Sequence, residues 1–442
     1  MRITPYIILL LASINSFAQE MDVEQSKSSN IEPFRSSILP RSTALESDSD
    51  APDALRYVLP LEDWSQQIAT AEMVYASTFE APFSWLGRQA VISIESASAP
   101  YRLLVDGREV GYSATPAMPA QFNITNYLRK ESESTLQIVM DLNSNIKELE
   151  GWSDVNTPSL GAVTMLSQPT MYIRDLDVAT TRSFNVLTSN ISIIVKSEAL
   201  NARTSRINYE LISPRGDVVT RGHHDINLDM RREDTIRLST IIPDSLAWSI
   251  ENPNQYRLNL STQYRGRHLE YLSFLLGLRS VELGKGGELM INGVEQSLKA
   301  VEMSSLSDFG QMMEAKERGY NTVKVAAGVY NASLYNYADS IGLYIIATAP
   351  INSSKSGDNI LRGGNPTNDP QRVFEYIERT DAMYNTTKRH PSVVGYSLAE
   401  NSLNGINLYE SYLYLKQREK QRPIIYDGSS GEWNSDLLLI EF

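Results

Sequence analysis

With 442 residues, 42% of them hydrophobic and 21% charged, the chain has room for about two to four domains with buried cores, which excludes a wholly disordered polymer. A formal net charge of −13 and a pI near 5.0 exclude nucleic acid as a partner, because that binding relies on Lys and Arg neutralising phosphates. The absence of cysteine excludes a disulfide framework, a thiolate metal site, a thiol nucleophile and a lipid-bearing Cys behind a signal sequence.

Residues 1–18 place Arg2 ahead of the apolar run Tyr6-Ile7-Ile8-Leu9-Leu10-Leu11-Ala12 and then reach Ser16-Phe17-Ala18. The run is too short to span a bilayer, so a cleaved signal peptide is expected, with export to the periplasm, cell surface or extracellular medium and no transmembrane segment. Residues 19–55 are rich in Ser, Asp and Glu, as in Glu46-Ser47-Asp48-Ser49-Asp50. They predict a disordered leader, having too little apolar surface to offset the entropy of ordering. Over 56–170, Val91-Ile92-Ser93-Ile94-Glu95 alternates, Tyr101–Val105 leads into an Asp106-Gly107 turn, and Gln121–Leu128 and Thr135–Met140 add further apolar segments. That pattern predicts an antiparallel sandwich. Residues 171–279 show strands at regular spacing with turn signals such as Pro214-Arg215-Gly216-Asp217, which fits an immunoglobulin-like β-sandwich.

Over 280–442, short apolar runs alternate with helical periods, predicting parallel strands joined by crossover helices. Strands are expected at 298–301, 322–326, 343–347, 392–396, 423–426 and 437–440, and helices at 307–318, 332–340, 370–388 and 408–420. These make about six βα units of an incomplete TIM-type barrel, where closure takes eight.

Several segments resemble glycoside hydrolase family 2, the β-galactosidase, β-glucuronidase and β-mannosidase group. Val105-Asp106-Gly107-Arg108-Glu109-Val110-Gly111 followed by Phe122-Asn123-Ile124-Thr125-Asn126-Tyr127-Leu128 is similar to its N-terminal jelly roll, a sugar-binding-like domain. Trp248, Pro253, Tyr256 and Leu258 match its W-x-x-x-x-P-x-x-Y-x-L segment, and Gly277-Leu278-Arg279-Ser280-Val281-Glu282 its entry to the barrel. Arg389 to Asn401 looks like the fourth barrel strand. The resemblance implies a jelly roll, an immunoglobulin-like sandwich and a TIM-type barrel, divergent and C-terminally truncated. It also implies an acid/base Glu after an Asn at the end of strand four and a nucleophile at the end of strand seven.

Here the order is Glu400 then Asn401, and an amide is no proton donor at neutral pH. Because adjacent strand residues face opposite ways, Glu400 is expected to turn away from the pocket unless a bulge re-aims it. The family's Arg and His after strand two give way to Lys324, Ala326 and Ala327, its Gly-Val-Asn-Arg-His to Ala300–Ser304, and its Asp-Glu pair to Ala347-Thr348. The expectation is a pseudoenzyme, a non-catalytic carbohydrate-binding or scaffold subunit of a bacterial envelope assembly. The alternative is a divergent β-glycosidase hydrolysing O-glycosyl bonds with Glu400 as acid/base and Asp427 or Glu432 as second carboxylate.

Candidate substrate-binding residues are Glu302, Lys324, Tyr396, Tyr426, Asp427 and Trp433, with Tyr330 as a further aromatic surface. His390 reads as structural, without an identified carboxylate partner, and no histidine pair has the helical spacing of a zinc site. No cofactor or metal is expected. The partners expected are a carbohydrate, and a protein or a second copy at the open barrel edges near Leu298–Val301 and Leu437–Phe442.

Overall fold

Alternation along the first strands sets up the N-terminal domain, because one side of each strand must be buried. A computed structural model describes residues 29–44, 56–129, 132–150, 158–303, 309–353 and 365–437; the expected signal at 1–18 lies outside them. One antiparallel sheet has four strands in the order Val58–Leu61, Val163–Gln168, Gln89–Ile94, Ala120–Asn123. The facing sheet has five, in the order Ser65–Ala69, Glu72–Phe79, Ser134–Asp141, Tyr101–Val105, Arg108–Ser113. Ile92, Ile94, Phe122 and Met165 from the first meet Leu103, Val105, Leu136 and Ile138 from the second. The Asp106-Gly107 turn has positive φ at both residues, 50° and 74°, which matches the right-handed twist of the strands that it joins.

The second sandwich pairs Met171–Ser183, Val186–Ser197 and Glu233–Pro243 against a sheet ordered Val218–Leu228, Arg203–Ile212, Tyr256–Tyr264, Arg267–Leu276. Its core holds Ile191, Ile193, Val195, Leu258, Leu260 and Leu272.

The third unit is a parallel sheet in sequential order: β1 (Ala300–Met303), β2 (Thr322–Val325), β3 (Tyr344–Thr348), β4 (Val393–Ser397) and β5 (Ile424–Ile425). Leu437 forms a parallel bridge to Ile425, and residues 438–440 of the sixth strand expected at 437–440 lie outside the described residues. Helices α1 (Phe309–Glu317), α2 (Ala332–Ile341), α3 (Val373–Thr387) and α4 (Ile406–Arg418) follow the strands. The third helix starts later than its sequence pattern suggests. Asp369 and Pro370 open a 3-10 turn instead, with the Asp369 carboxylate accepting from Gln371 N at 3.0 Å.

A small antiparallel sheet, Val281–Leu283, Leu289–Ile291 and Val294–Glu295, packs with Trp248, Tyr344 and Val394 at the N-terminal ends of β3 and β4. Trp248 is fully buried; its Nε1 donates to the Asp339 carbonyl at 2.9 Å, and Arg279 donates to the Val393 carbonyl. The tryptophan and the Gly-x-Arg of the two sequence motifs thus lock the second sandwich onto the base of the parallel sheet.

The expectation of disorder over 19–55 is corrected at residues 29–44. Asn30 bridges Tyr112, Arg41 bridges Tyr271, and Ser36 Oγ donates to the Thr386 carbonyl at 3.1 Å. The strap therefore touches both sandwiches and the end of α3. Phe34, Ser36, Ile38 and Pro40 are buried while Pro33, Ser37 and Leu39 are exposed. A low apolar count suffices because the strap fills seams between cores that already exist, so it does not need a core of its own.

Candidate functional site

Side chains at the C-terminal ends of parallel strands converge, which is where this architecture places its chemistry. Glu302 on β1 and Lys324 on β2 are register partners and share a face. Lys324 is buried, and its Nζ meets Asp427 Oδ2 at 2.5 Å. Since Asp427 follows β5, this ion pair crosses the opening of the curved sheet from its second strand to beyond its fifth.

Glu400 reaches the same end. Between β3 and β4 the register slips by one residue: Ile345 pairs with Val393, but Ile346 pairs with Gly395. The slip at Val394 exchanges the faces of every later residue on the strand. Glu400 N donates to the Ile351 carbonyl at 2.9 Å, while its side chain crosses to the loop after β2, where Oε2 accepts from Ala327 N at 2.7 Å. Oε1 accepts from Asn401 Nδ2 at 3.1 Å. The expected turn away from the opening is therefore corrected: β4 ends at Ser397, so strand alternation no longer sets the direction of Glu400, three residues further on. Asn401 is exposed and sits at φ 41°, a left-handed conformation that Asn tolerates better than most residues.

The loop carrying Glu400 is tied from below. Ser402 Oγ donates to the Glu400 carbonyl at 2.9 Å and accepts from Ser353 N at 2.9 Å, and Tyr426 OH donates to the Ser402 carbonyl at 2.7 Å. Tyr426 is buried, so it braces this loop and offers no open stacking face, a correction to its expected role. Tyr396 is corrected more fully. The slip at Val394 turns it to the helical side, fully buried, with its ring 5.5 Å from Tyr384 of α3 and 4.8 Å from the Arg422 guanidinium. Burial pushes the Tyr396 hydroxyl well above its usual range, despite the Arg422 guanidinium.

Trp433 is 55% exposed, its ring 4.8 Å from that of Tyr409 and tilted by 37°, and edge-on to Tyr412 of α4. Beside it, the Asn404 and Asn434 side chains exchange hydrogen bonds at 2.9 and 3.3 Å. Glu432 is also exposed. The structure thus brings together Glu302, Lys324, Glu400 and Asp427, sets Trp433 on the adjoining α4, and removes Tyr396 and Tyr426 from any open surface.

His390 has the carboxylate partner that the sequence did not reveal: its Nδ1 lies 2.7 Å from Asp339 Oδ2, while Asp339 Oδ1 accepts from Ser392 N at 2.9 Å. The pair is buried at the N-terminal end of β4, the end of such a sheet that serves the fold and not the chemistry. Among the described residues, no three His, Asp or Glu side chains gather as metal ligands would, and no helix is long and apolar enough to cross a membrane.

Two sandwiches followed by a parallel sheet with crossover helices, and a carboxylate at the end of its fourth strand, define a glycosidase-type architecture. Residues 288–441 match the family description "Glycosyl hydrolases family 2, TIM barrel domain", and residues 14–154 match "Glycosyl hydrolases family 2, sugar binding domain". The chain belongs to glycoside hydrolase family 2. It is 26% identical over 385 residues to a beta-galactosidase of Priestia megaterium, covering 80% of this chain and 36% of that protein. It is 27% identical over 392 residues to a beta-galactosidase of Pectobacterium atrosepticum, covering 80% and 35%. The chain therefore spans about a third of the length of these curated relatives.

Among solved structures, a putative beta-galactosidase from Bacteroides fragilis superposes with a TM-score of 0.68 at 12% identity, over 90% of this chain and 64% of that one. Bacteroides uniformis beta-glucuronidase 2 superposes at 0.67 and 16% identity, over 90% and 52%. At such identities these likenesses show the shared fold.

Proposed function

We propose that this chain is an exported, non-hydrolysing member of family 2 that recognises carbohydrate, serving as a binding or scaffold subunit in an envelope assembly. The observation that carries the reading is the state of the fourth-strand carboxylate. Asn401 stands where the family places its acid/base, and both oxygens of the neighbouring Glu400 accept hydrogen bonds, from Ala327 N and Asn401 Nδ2. A general acid must present a proton to the leaving oxygen, and this carboxylate is held as an acceptor. Asp427, a candidate second carboxylate, is bound to Lys324. The sugar-binding description of residues 14–154, together with exposed Trp433 backed by Tyr409, supports carbohydrate recognition.

Export rests on the sequence of residues 1–18; cleavage after Ala18 gives a mature chain starting at Gln19, read by N-terminal sequencing. The scaffold role rests on β1, an edge strand of the parallel sheet among the described residues.

One observation favours a divergent β-glycosidase instead, namely the reach of Glu400 over the strand ends. The test is turnover of aryl β-galactoside, β-glucuronide and β-mannoside by the purified chain. No hydrolysis above the uncatalysed rate is expected, with Glu400→Gln indistinguishable from the parent. Turnover that disappears in Glu400→Gln would establish the enzyme.

A further inference from the structure

A cleft of about 170 Å³ lies between the leader strap, the outer face of the four-stranded sheet and the start of α2. We propose that it binds one neutral sugar residue, at a site separate from the barrel opening and independent of the mouth reading above. Its floor is a polar row. Ser93 is the register partner of both Gln121 and Thr164 on the two flanking strands, so the three side chains stand abreast on the outward face. Glu95 continues the same face, the strap forms the roof, and buried Tyr330 closes the far wall. A space of this size holds several waters that a ligand would displace.

Glu95 sets the chemistry. It is half-buried, and burial pushes its carboxyl above the usual range, with the Ala162 N–H pulling it back. Among the described residues no Lys or Arg forms an ion pair with it, whereas Glu32 on the roof is paired with Lys196 at 3.0 Å. A desolvated carboxylate with spare acceptor sites requires donors. Arg35 also lines the cleft and disfavours a cationic ligand, which leaves hydroxyl groups as the matching donors. The hydroxyl groups of Ser37, Ser93 and Thr164 also line the cleft and can donate to or accept from a sugar's hydroxyl edge, while Gln121 Oε1 already accepts from Arg35 Nε at 2.8 Å.

The test is ligand-observed NMR and calorimetry on the full chain with galactose, glucose and mannose, and with glucosamine as a cationic probe. At least one neutral hexose is expected to bind. Glu95→Gln should weaken it roughly tenfold, by loss of a charge-assisted hydrogen bond. Leu39→Trp, which fills the cleft from a strap position 42% exposed and disturbs no buried group, should abolish it at unchanged melting temperature. Trp433→Ala should leave it unaltered. Binding that survives Leu39→Trp, binding that is lost in Trp433→Ala, preference for glucosamine, or no hexose binding at millimolar concentration would each overturn the site. Hydrolysis dependent on Glu400 would refute the mouth reading and leave these readouts untouched.

Discussion

Glu270 is sealed between the two sandwiches, 2% exposed. Burial pushes its carboxyl up to about 7, and the Arg88 guanidinium, the Ile173 N–H, the Arg35 guanidinium and the Thr262 hydroxyl only partly pull it down. The folded-state value lies above the usual 4.5, so between these two values the native chain binds a proton that the unfolded chain has released. Stability from this group is full below about 4.5 and is lost as pH rises through about 7, on the order of 3 kcal/mol. Glu270→Gln keeps the shape and removes the titration. Urea midpoints compared at about pH 5 and pH 7.5 should fall more steeply for the parent than for the variant, and equal slopes would refute the assignment. Neither Glu270 nor Asp339 could be picked out from sequence. Their partners Arg88 and His390 lie far along the chain, and nothing local marks a charge that tertiary contacts will bury. Glu400 was legible as a carboxylate at a strand end, but its reach to Ala327 belongs to the loop that follows Ser397, where strand alternation no longer applies.

Between elements, glycine shows which approaches are tight. Gly342 ends α2 at φ 70°, and a Cβ there would stand 2.4 Å from the Ile250 carbonyl oxygen. Gly319, after α1, has φ 88° with open space around it. Alanine at either position incurs the left-handed penalty of about 1–2 kcal/mol. Only Gly342→Ala must also push back the segment that carries Trp248. Chemical denaturation should therefore show Gly342→Ala losing at least about twice as much stability as Gly319→Ala; equal losses would mean that the Ile250 segment yields freely. The regular strands were readable because one buried face imposes period two, and the crossover helices because their apolar spacing shifts toward period 3.6. The strap carried a readable signal as well. Phe34, Ser36, Ile38 and Pro40 alternate with less buried neighbours, but two of the four are not large apolar residues, so composition obscured the period.

The three units are joined through buried polar contacts, and this makes their stability a shared property. Where the first strand of the second sandwich slips register at Arg174, Asp175 is aimed at the barrel domain. Its carboxylate meets Lys388 Nζ at 2.8 Å, with side-chain exposures of 1% and 7%, and the same ammonium reaches Asp177 at 2.5 Å. Arg379 joins α3 to the first sandwich through the Ala114 carbonyl and Glu150, each at 2.8 Å. Lys388→Met leaves Asp175 buried without its cation, a loss of about 3–5 kcal/mol because the carboxylate stays desolvated. The barrel domain should then unfold ahead of the sandwiches, so that one urea transition becomes two. Adding Asp175→Leu removes the stranded charge, and the double variant should recover much of the loss with a coupling of about 2 kcal/mol or more. Additive losses in that cycle would show that Lys388 stabilises through its aliphatic stem packed near Tyr384, whose ring centroid lies 5.9 Å from the ammonium, and the interdomain ion pair would then contribute little.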